Sequence, residues 1–215
     1  MGERKITVYG ASGHGKVVLD ILLALGATGI AGFVDDDPAR QGATVLGYPV
    51  VGDSEWLTRE ARGGGMSVAL GIGNNVVRQV LAERCRRAGA ALLLAVHPRA
   101  VVASSARLGD GTVVMAGAVV NPDAIVGEGA IINTCAVVEH DVVVGHFAHI
   151  SPNAALGGGA RVGDFSHLGL GASVLPGVRI GAHVIVGAGA TVTKDLEDAI
   201  VAMGVPARVT RRLAF

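Results

Sequence analysis

The chain is poor in rings and in charge. Aromatic residues make up 3% and charged residues 17% of its 215 positions, the latter below the roughly 25% usual in soluble domains. So few rings argue against a core filled by aromatic side chains. So little charge implies long uncharged faces, some of them packed against copies of the same chain. Formal net charge is zero and there is no basic stripe, which argues against nucleic acid as a partner. No run of about 18 or more apolar residues suggests a membrane span. The first residues lack an apolar secretory segment with a small-residue cleavage site. The two cysteines, Cys85 and Cys135, fall in different expected elements, which argues against a disulfide and fits a reducing cytoplasm.

What is abundant is glycine, 33 residues, and a period of six. From Val101 to Leu196 the chain divides into consecutive hexads without a slip. The second position is always aliphatic, from Val102 and Leu108 through Ile150 and Leu156 to Val186 and Val192; the sixth is mostly small, as in Ala118, Ala124, Ala130, Ala136 and Ala148. Such a period is neither helical nor required by plain strand alternation. It is that of a β-solenoid with faces one hexad long. Three hexads close one triangular coil, which stacks residues 18 apart at a rise of roughly 4.8 Å. Positions two and six then point inward and fill a core too narrow for rings. Position three is the expected corner. Gly109, Gly127, Gly145, Gly157, Gly163, Gly169, Gly181 and Gly187 occupy it, with Asn121 and Asn133 in two other hexads, so left-handed torsions are expected there.

Residues 1–96 read differently. Strands are expected at Ile6–Gly10, Ile30–Val34, Ser67–Ile72 and Leu92–Val96, with an extended piece over Gly47–Gly52. Helices are expected over Val17–Leu25, from a Ser54 cap to about Arg62, and over about Val76–Ala88. This alternation implies a small parallel α/β layer. Strand, Gly10-Ala-Ser-Gly-His-Gly15 loop and helix is the arrangement that grips a phosphate. Asp35, at the tip of the second strand, holds the position that reads a ribose in dinucleotide folds. The half-domain is short for a full dinucleotide cradle, so a mononucleotide or nucleotide-sugar suits it better than NAD. A loop that merely packs helix on sheet is the alternative.

Several motifs in this order carry a resemblance over essentially the whole chain. They are Tyr9-Gly-Ala-Ser-Gly-His-Gly15, Asp35-Asp36, Gly71-Ile-Gly-Asn-Asn75 with Arg78, His97-Pro98, Ile131-Ile-Asn-Thr134, Val138-Glu-His-Asp141, His149 and Gly204-Val-Pro-Ala-Arg208. Together they resemble the bacterial hexapeptide-repeat acetyltransferases that act on nucleotide-linked amino sugars, a group that includes sialic-acid O-acetyltransferase-like proteins. The resemblance implies an α/β Rossmann-like half-domain over residues 1–96, followed by a left-handed parallel β-helix with a C-terminal tail over 97–215. It implies acetyl-coenzyme A as co-substrate, a UDP- or GDP-linked amino sugar as acceptor, no metal, a homotrimer and a cytoplasmic setting. By position, Ser12, Gly13, His14, Asp35, Asp36 and Gly73 would hold the nucleotide half of the sugar. His140 would be the general base, with Asp141 raising its basicity. His149 and the backbone near Leu170 and Ala188 would contact the coenzyme.

The chemistry asks for little more. Amide formation from a thioester needs a neutral, oriented amine and a base to take its proton, and a histidine titrates in the right range. A carboxylate on the other ring nitrogen fixes the tautomer and favours the protonated form. His140, at position four of its hexad, is expected to point out of the core. His149 and His167, 18 apart at position one, are expected to stack on one outer face, as are Arg161 and Arg179. The Arg208–Arg212 tail is the one dense basic cluster and is either a coenzyme-phosphate contact or a solubilising end. Three other readings stand beside N-acetylation. They are O-acetylation of a sialic-acid-type sugar, a zinc hydratase using His140, His146 and His149, and a nucleotide-sugar sensor without catalysis.

Overall fold

A computed structural model describes residues 5–62 and 64–214; the N-terminal Met1–Arg4 segment lies outside them. The chain forms two compact units, Met1–Pro98 and Arg99–Phe215.

The first unit is an α/β layer. Its strands are β1 (Lys5–Tyr9), β2 (Ile30–Val34), β3 (Thr44–Val45), β4 (Tyr48–Gly52), β5 (Met66–Leu70), β6 (Ala91–Leu92) and β7 (Ala95–Val96). Its helices are α1 (Gly13–Ala24), α2 (Ser54–Ala61) and α3 (Asn75–Arg87). One sheet runs β3-β4-β2-β1-β5-β6, parallel except for the β3/β4 hairpin. The chain leaves β1 toward β2 and leaves β5 toward β6, in opposite directions. With right-handed crossovers, α1 and α3 therefore cover opposite faces. Leu57 and Ala61 of α2 share a core with Leu81 and Cys85 of α3, against Tyr9, Val34 and Val68. The gap between β1 and β5 is the topological switch point, where ligands of open α/β sheets bind beyond the strand ends.

Two helix starts differ from the sequence reading. α1 begins at Gly13 rather than Val17, because Gly10 alone makes the turn at φ 105° and the Lys16 N–H already bonds the Ser12 carbonyl at 3.1 Å. α2 is capped by Asp53, not Ser54; the Asp53 carboxylate accepts from the N–H groups of Glu55 and Trp56, a stronger cap because it is charged. The expected strand over Leu92–Val96 is instead the two short pieces β6 and β7.

The second unit is a three-sided parallel β-helix. Every hexad contributes a two-residue strand from its first two positions, β8 (Val101–Val102) to β23 (Thr191–Val192). The first face stacks the strands that begin at Val101, Val119, Val137, Ala155, Ser173 and Thr191. The second stacks those at Arg107, Ile125, Val143, Arg161 and Arg179. The third includes those at Val113, Ile131, His149, His167 and Ile185. Position two is buried from Val114 onward and position six from Thr112 to Ala190. The two inward hydroxyls are satisfied: Thr112 donates to the Gly127 carbonyl at 3.0 Å and Ser166 to that of Gly181 at 2.7 Å. The chain ends as β24 (Ile200–Met203), which extends the third face, and β25 (Arg208–Arg212), antiparallel to it. The basic tail is thus a strand, with Arg212 paired to Glu197 at 3.1 Å.

The corner torsions fall elsewhere than position three. Positive φ angles occupy position five, at Asp123, Cys135, Asp141, Phe147, Asn153, Phe165 and His183 as well as at several glycines. The position-three glycines have ordinary torsions and are small for another reason. A Cβ on Gly163 would stand 2.5 Å from the Ala182 nitrogen, and one on Gly109 2.5 Å from the Glu128 nitrogen. The next coil passes too close for a methyl group. This crowding is most regular at the corner between the second and third faces, where position three is Gly109, Gly127, Gly145, Gly163 and Gly181 in succession. Asn121 and Asn133 sit at the other two corners, which are tight in other coils: a Cβ on Gly157 would lie 2.7 Å from the Pro176 nitrogen and one on Gly169 2.6 Å from the Ala188 nitrogen.

Gly163→Ala and Gly171→Ala separate the two causes. The first drives a methyl into backbone, with an expected loss of about 1–3 kcal/mol. The second meets open space but keeps φ +63°, with an expected loss of about 1 kcal/mol. Denaturant unfolding of both variants checks the order.

Candidate active site

In the first unit, three glycines bring the ends of β1 and β5 together. A Cβ on Gly15 would lie 1.8 Å from the Gly10 carbonyl oxygen, and one on Gly71 2.8 Å from the Gly15 Cα. Backbone therefore rests on backbone, and the first turn of α1 is drawn to the switch point. Ser12 precedes α1 in an extended conformation and its side chain makes no cap bond; no acidic residue occupies the first turn. Gly13 has nothing within 4 Å of where its Cβ would be. The positive end of α1 is thus left open to an anion. His14, one residue on, is pushed down to about 4 by burial, aided by the Arg78 guanidinium, so its ring is neutral near pH 7. Arg78 is buried and donates to the carbonyls of Ile72 and Gly73 at 3.0 Å and to Asn75 Oδ1 at 2.9 Å. Burial lowers it to about 9, which still leaves it charged.

The two aspartates do different work. Asp35 Oδ2 accepts from the Ala11 N–H at 2.7 Å and Oδ1 from the Asp37 N–H at 3.0 Å. Arg40 closes the same loop by donating to the Ala11 carbonyl at 2.9 Å. Asp35 is therefore a brace for the glycine loop. Asp36 accepts from the Tyr9 hydroxyl at 2.8 Å, Arg84 Nη1 at 2.6 Å and the Ser54 N–H at 2.8 Å. Burial pushes its carboxyl up, but the Ser54 N–H, the Tyr9 hydroxyl and Arg84 outweigh this and hold it below the usual carboxylate range. Tyr9 is raised, chiefly by burial and then by its bond to Asp36. Sequence spacing did not single out Arg40 or Arg84 as site residues, because their partners lie 29 and 48 positions away. In the sequence Arg78 accompanies the Gly71-Ile-Gly-Asn-Asn75 motif without a role of its own; its burial in the first turn of α3 is what the structure adds.

In the second unit, His140 and Asp141 stand at the corner between the first and second faces. Both are exposed, His140 at 63%, and His140 Nδ1 lies 2.8 Å from Asp141 Oδ2. Asp141 reaches it from a left-handed φ of 60°. The Asp141 hydrogen bond raises the His140 pKa, and the Asp141 and Glu139 charges add to it. Nε2 faces outward. His149 and His167 stack with ring centroids 4.7 Å apart and 13° between planes. His149 is only 8% exposed, less than an outer face suggests, since it is sandwiched in register between Ile131 and His167. Asn133 Nδ2 contacts His149 Nε2 at 2.9 Å, and Ser151 Oγ contacts His167 Nε2 at 2.8 Å. Leu170 and Ala188 stack at the corner that follows the third face, with Leu170 60% exposed.

One prism therefore gathers His149, Leu170 and Ala188 along one side and sets His140 with Asp141 at a different corner. Corners are on the order of 15–20 Å apart, about five extended residues. His140, His146 and His149 likewise occupy two corners and a face, so they do not converge within a prism, and no group among the described residues could hold a metal ion. Cys85 and Cys135 are free thiols; burial raises Cys85 to about 12.

Comparison with known proteins follows this geometry. Residues 5–85 match the PglD N-terminal domain, and residues 105–140 and 159–194 match the bacterial transferase hexapeptide (six repeats). PerB from Caulobacter crescentus, solved with CoA and GDP-perosamine, is 47% identical with a TM-score of 0.90, covering 96% of this chain and 97% of that one. Variants of this perosamine N-acetyltransferase with one histidine replaced by asparagine or alanine have been solved with the same two ligands. The acetyltransferase domain of PglB from Neisseria gonorrhoeae, in complex with acetyl coenzyme A, is 39% identical with a TM-score of 0.90, covering 97% of this chain and all of that one, 100%. The UDP-N-acetylbacillosamine N-acetyltransferase of Bacillus subtilis is 37% identical over 121 residues, 53% of this chain; the match spans about half of that relative, 52%. The α/β half-domain followed by a left-handed parallel β-helix is the fold shared with these neighbours.

The Asp36 cluster has a pH signature. A carboxyl depressed in the folded state stabilises above its unfolded pKa, and that contribution is lost as pH falls through the folded value. Asp36→Asn should lower the thermal midpoint at pH 7, and the gap from the native chain should close below about pH 4. Melting curves across pH check this.

Proposed function

The chain belongs to the bacterial hexapeptide-repeat N-acetyltransferases of nucleotide-linked amino sugars, and from that premise we propose that it transfers the acetyl group of acetyl-coenzyme A to the amine of such a sugar. The observation that carries the reading is the His140–Asp141 pair: Nδ1 is held at 2.8 Å and the imidazole stands on an exposed corner, 63% open to solvent. The amine nitrogen attacks the thioester carbonyl, a C–N bond forms, the C–S bond breaks, and the proton shed by the amine passes to Nε2. Asp141 fixes the tautomer that leaves Nε2 its lone pair and stabilises the imidazolium that follows. No covalent acyl-enzyme is needed, and Cys135 has no part in it.

The nucleotide half of the sugar is held by Ser12, Gly13 and His14 at the open N-terminus of α1 and by the turn at Gly73. Asp35 acts by shaping that loop, and Asp36 by fixing the end of β1 to α2 and α3. Full-length likeness to an enzyme solved with GDP-perosamine favours a GDP-linked 4-amino sugar over a UDP-linked one. His149, Leu170 and Ala188 line the coenzyme side. These residues and His140 stand on different sides of one prism, so a second copy completes the site, and the resemblance to the family implies a homotrimer as the working form. Its setting is the cytoplasm, where acetyl-coenzyme A is available and free thiols stay reduced.

Turnover of GDP-perosamine, matched against UDP-linked 4-amino sugars and hydroxyl analogues, tests the acceptor; acetylation of only the hydroxyl sugars overturns the reading. His140→Ala should keep its fold and lose at least about 100-fold in kcat; near-native turnover removes His140 as the base. Asp141→Asn, which keeps a side chain that tolerates the left-handed torsion, should lower kcat. Because Asp141 raises the His140 pKa and the base works unprotonated, the acid limb of the rate profile should move to lower pH. Asp35→Ala should weaken sugar-nucleotide binding in calorimetry and leave coenzyme affinity unchanged; equal losses for both count against the assignment of the first unit.

A further inference from the structure

Gly158 stands where the coil does not call for glycine. The run Gly157-Gly158-Gly159 fills positions three, four and five of one hexad. Gly157 is small because a Cβ there would strike Pro176 at 2.7 Å, and Gly159 because its φ is +69°. Neither reason applies to Gly158. Its torsion lies outside the left-handed region, and the three atoms nearest to an added Cβ all belong to one side chain, His140: Nε2 at 2.6 Å, Cε1 at 2.7 Å and Cδ2 at 3.3 Å. Among the position-four residues from Ser104 to Lys194, Gly158 is the single glycine. The others range from alanine and proline to aspartate and lysine, so a side chain at this position is ordinary.

The vertical relation is fixed by backbone. The Gly159 N–H bonds the His140 carbonyl at 2.9 Å, and the Glu139 N–H bonds the Leu156 carbonyl at 3.1 Å. Residue 158 is therefore held directly beneath residue 140. The imidazole is otherwise 63% exposed, and among the described residues its side-chain hydrogen bond is the one through Nδ1 to Asp141. A ring held at one nitrogen still pivots.

We propose that Gly158 is a positioning residue: its bare Cα is the seat on which the His140 ring lies, setting where Nε2 points while Asp141 holds the opposite nitrogen. This rests on the reading of His140 as the base. A methyl group at 158 cannot share the space within 3 Å of Nε2, and the exposed ring yields by turning away. That movement costs the fold little and costs the chemistry much, because a displacement near 1 Å at a reacting atom is worth up to about 100-fold in rate.

The experiment compares Gly158→Ala, His140→Ala and the double variant, with GDP-perosamine and acetyl-coenzyme A as probes. Gly158→Ala should melt within about 2 °C of the native chain, a shift of about 1 kcal/mol or less for a chain of this size. Its KM values should stay within about twofold while kcat falls about 10- to 100-fold. Its acid limb should move to lower pH as the ring leaves Asp141. Adding Gly158→Ala to His140→Ala should cost nothing more, since there is no ring left to displace. If the single variant fails to melt cooperatively, the double variant should recover the transition; failure of both to do so overturns the proposal. Native kcat in Gly158→Ala with a crippled His140→Ala overturns the seat and leaves the base standing. Near-native kcat in His140→Ala overturns the underlying functional reading instead. A loss that adds fully to that of His140→Ala marks a general distortion and also overturns the seat.

Discussion

The register of the parallel coils is the constraint on which the second unit depends. Each strand bonds to those 18 residues before and after it, from Val101↔Val119 to Ser173↔Thr191. Peptide groups that would otherwise be buried without partners are thereby satisfied, and the core needs only an aliphatic knob and a small neighbour in each hexad. A one-residue slip would turn every inward side chain outward. The same register makes chemistry predictable along the axis. It sets His149 on His167, Arg161 on Arg179 and His140 above Gly158.

Within that frame the three corners are not equivalent. The corner between the second and third faces is the tightest: all its position-three residues are glycine, and Phe147, Phe165 and His183 stack beside it at position five, with centroids 5.8 and 4.8 Å apart. Acidic side chains there turn back on the preceding coil. Asp164 accepts from the His146 N–H at 2.7 Å and Asp198 from the Ala182 N–H at 2.8 Å. This corner uses its polar groups for structure. The corner bearing His140 also lends side chains to the ladder, Ser105 accepting from the Asp123 N–H at 3.0 Å and Asp195 from the Arg179 N–H at 2.8 Å, but the imidazole is spared and is bonded to Asp141 through Nδ1. A candidate base has to keep one nitrogen unoccupied, and His140 meets that need.

The first unit has an analogous division of labour. Asp35 and Asp36 are adjacent, yet one braces the loop through backbone N–H groups and the other joins β1 to α2 and α3 through Tyr9, Ser54 and Arg84. Both carboxylates are largely engaged by the protein itself. The groups left open at the switch point are the backbone of Ser12 and Gly13 and the positive end of α1, which suits a phosphate better than a directly read ribose hydroxyl.

Hexad phase, inward positions, the alternation of strands and helices in the first hundred residues and the outward direction of His140 were all legible in the sequence, because each follows from a local period or from covalent neighbours. The His140–Asp141 contact was legible for the same reason. The cause of the position-three glycines was not: φ and crowding both select glycine, and only the approach of the next coil at 2.5 Å tells them apart. Arg40 and Arg84 were hidden because their partners are distant in sequence, and α2 began one residue off because Asp53 and Ser54 are both good caps. Sequence alone determined the repeat, the core and the candidate base, since these depend on side-chain size and spacing along one strand. The tertiary structure decided which corner is crowded, which aspartate braces which element and what lies beneath the base, since these depend on atoms that only the closing of the coil and the sheet brings within contact distance.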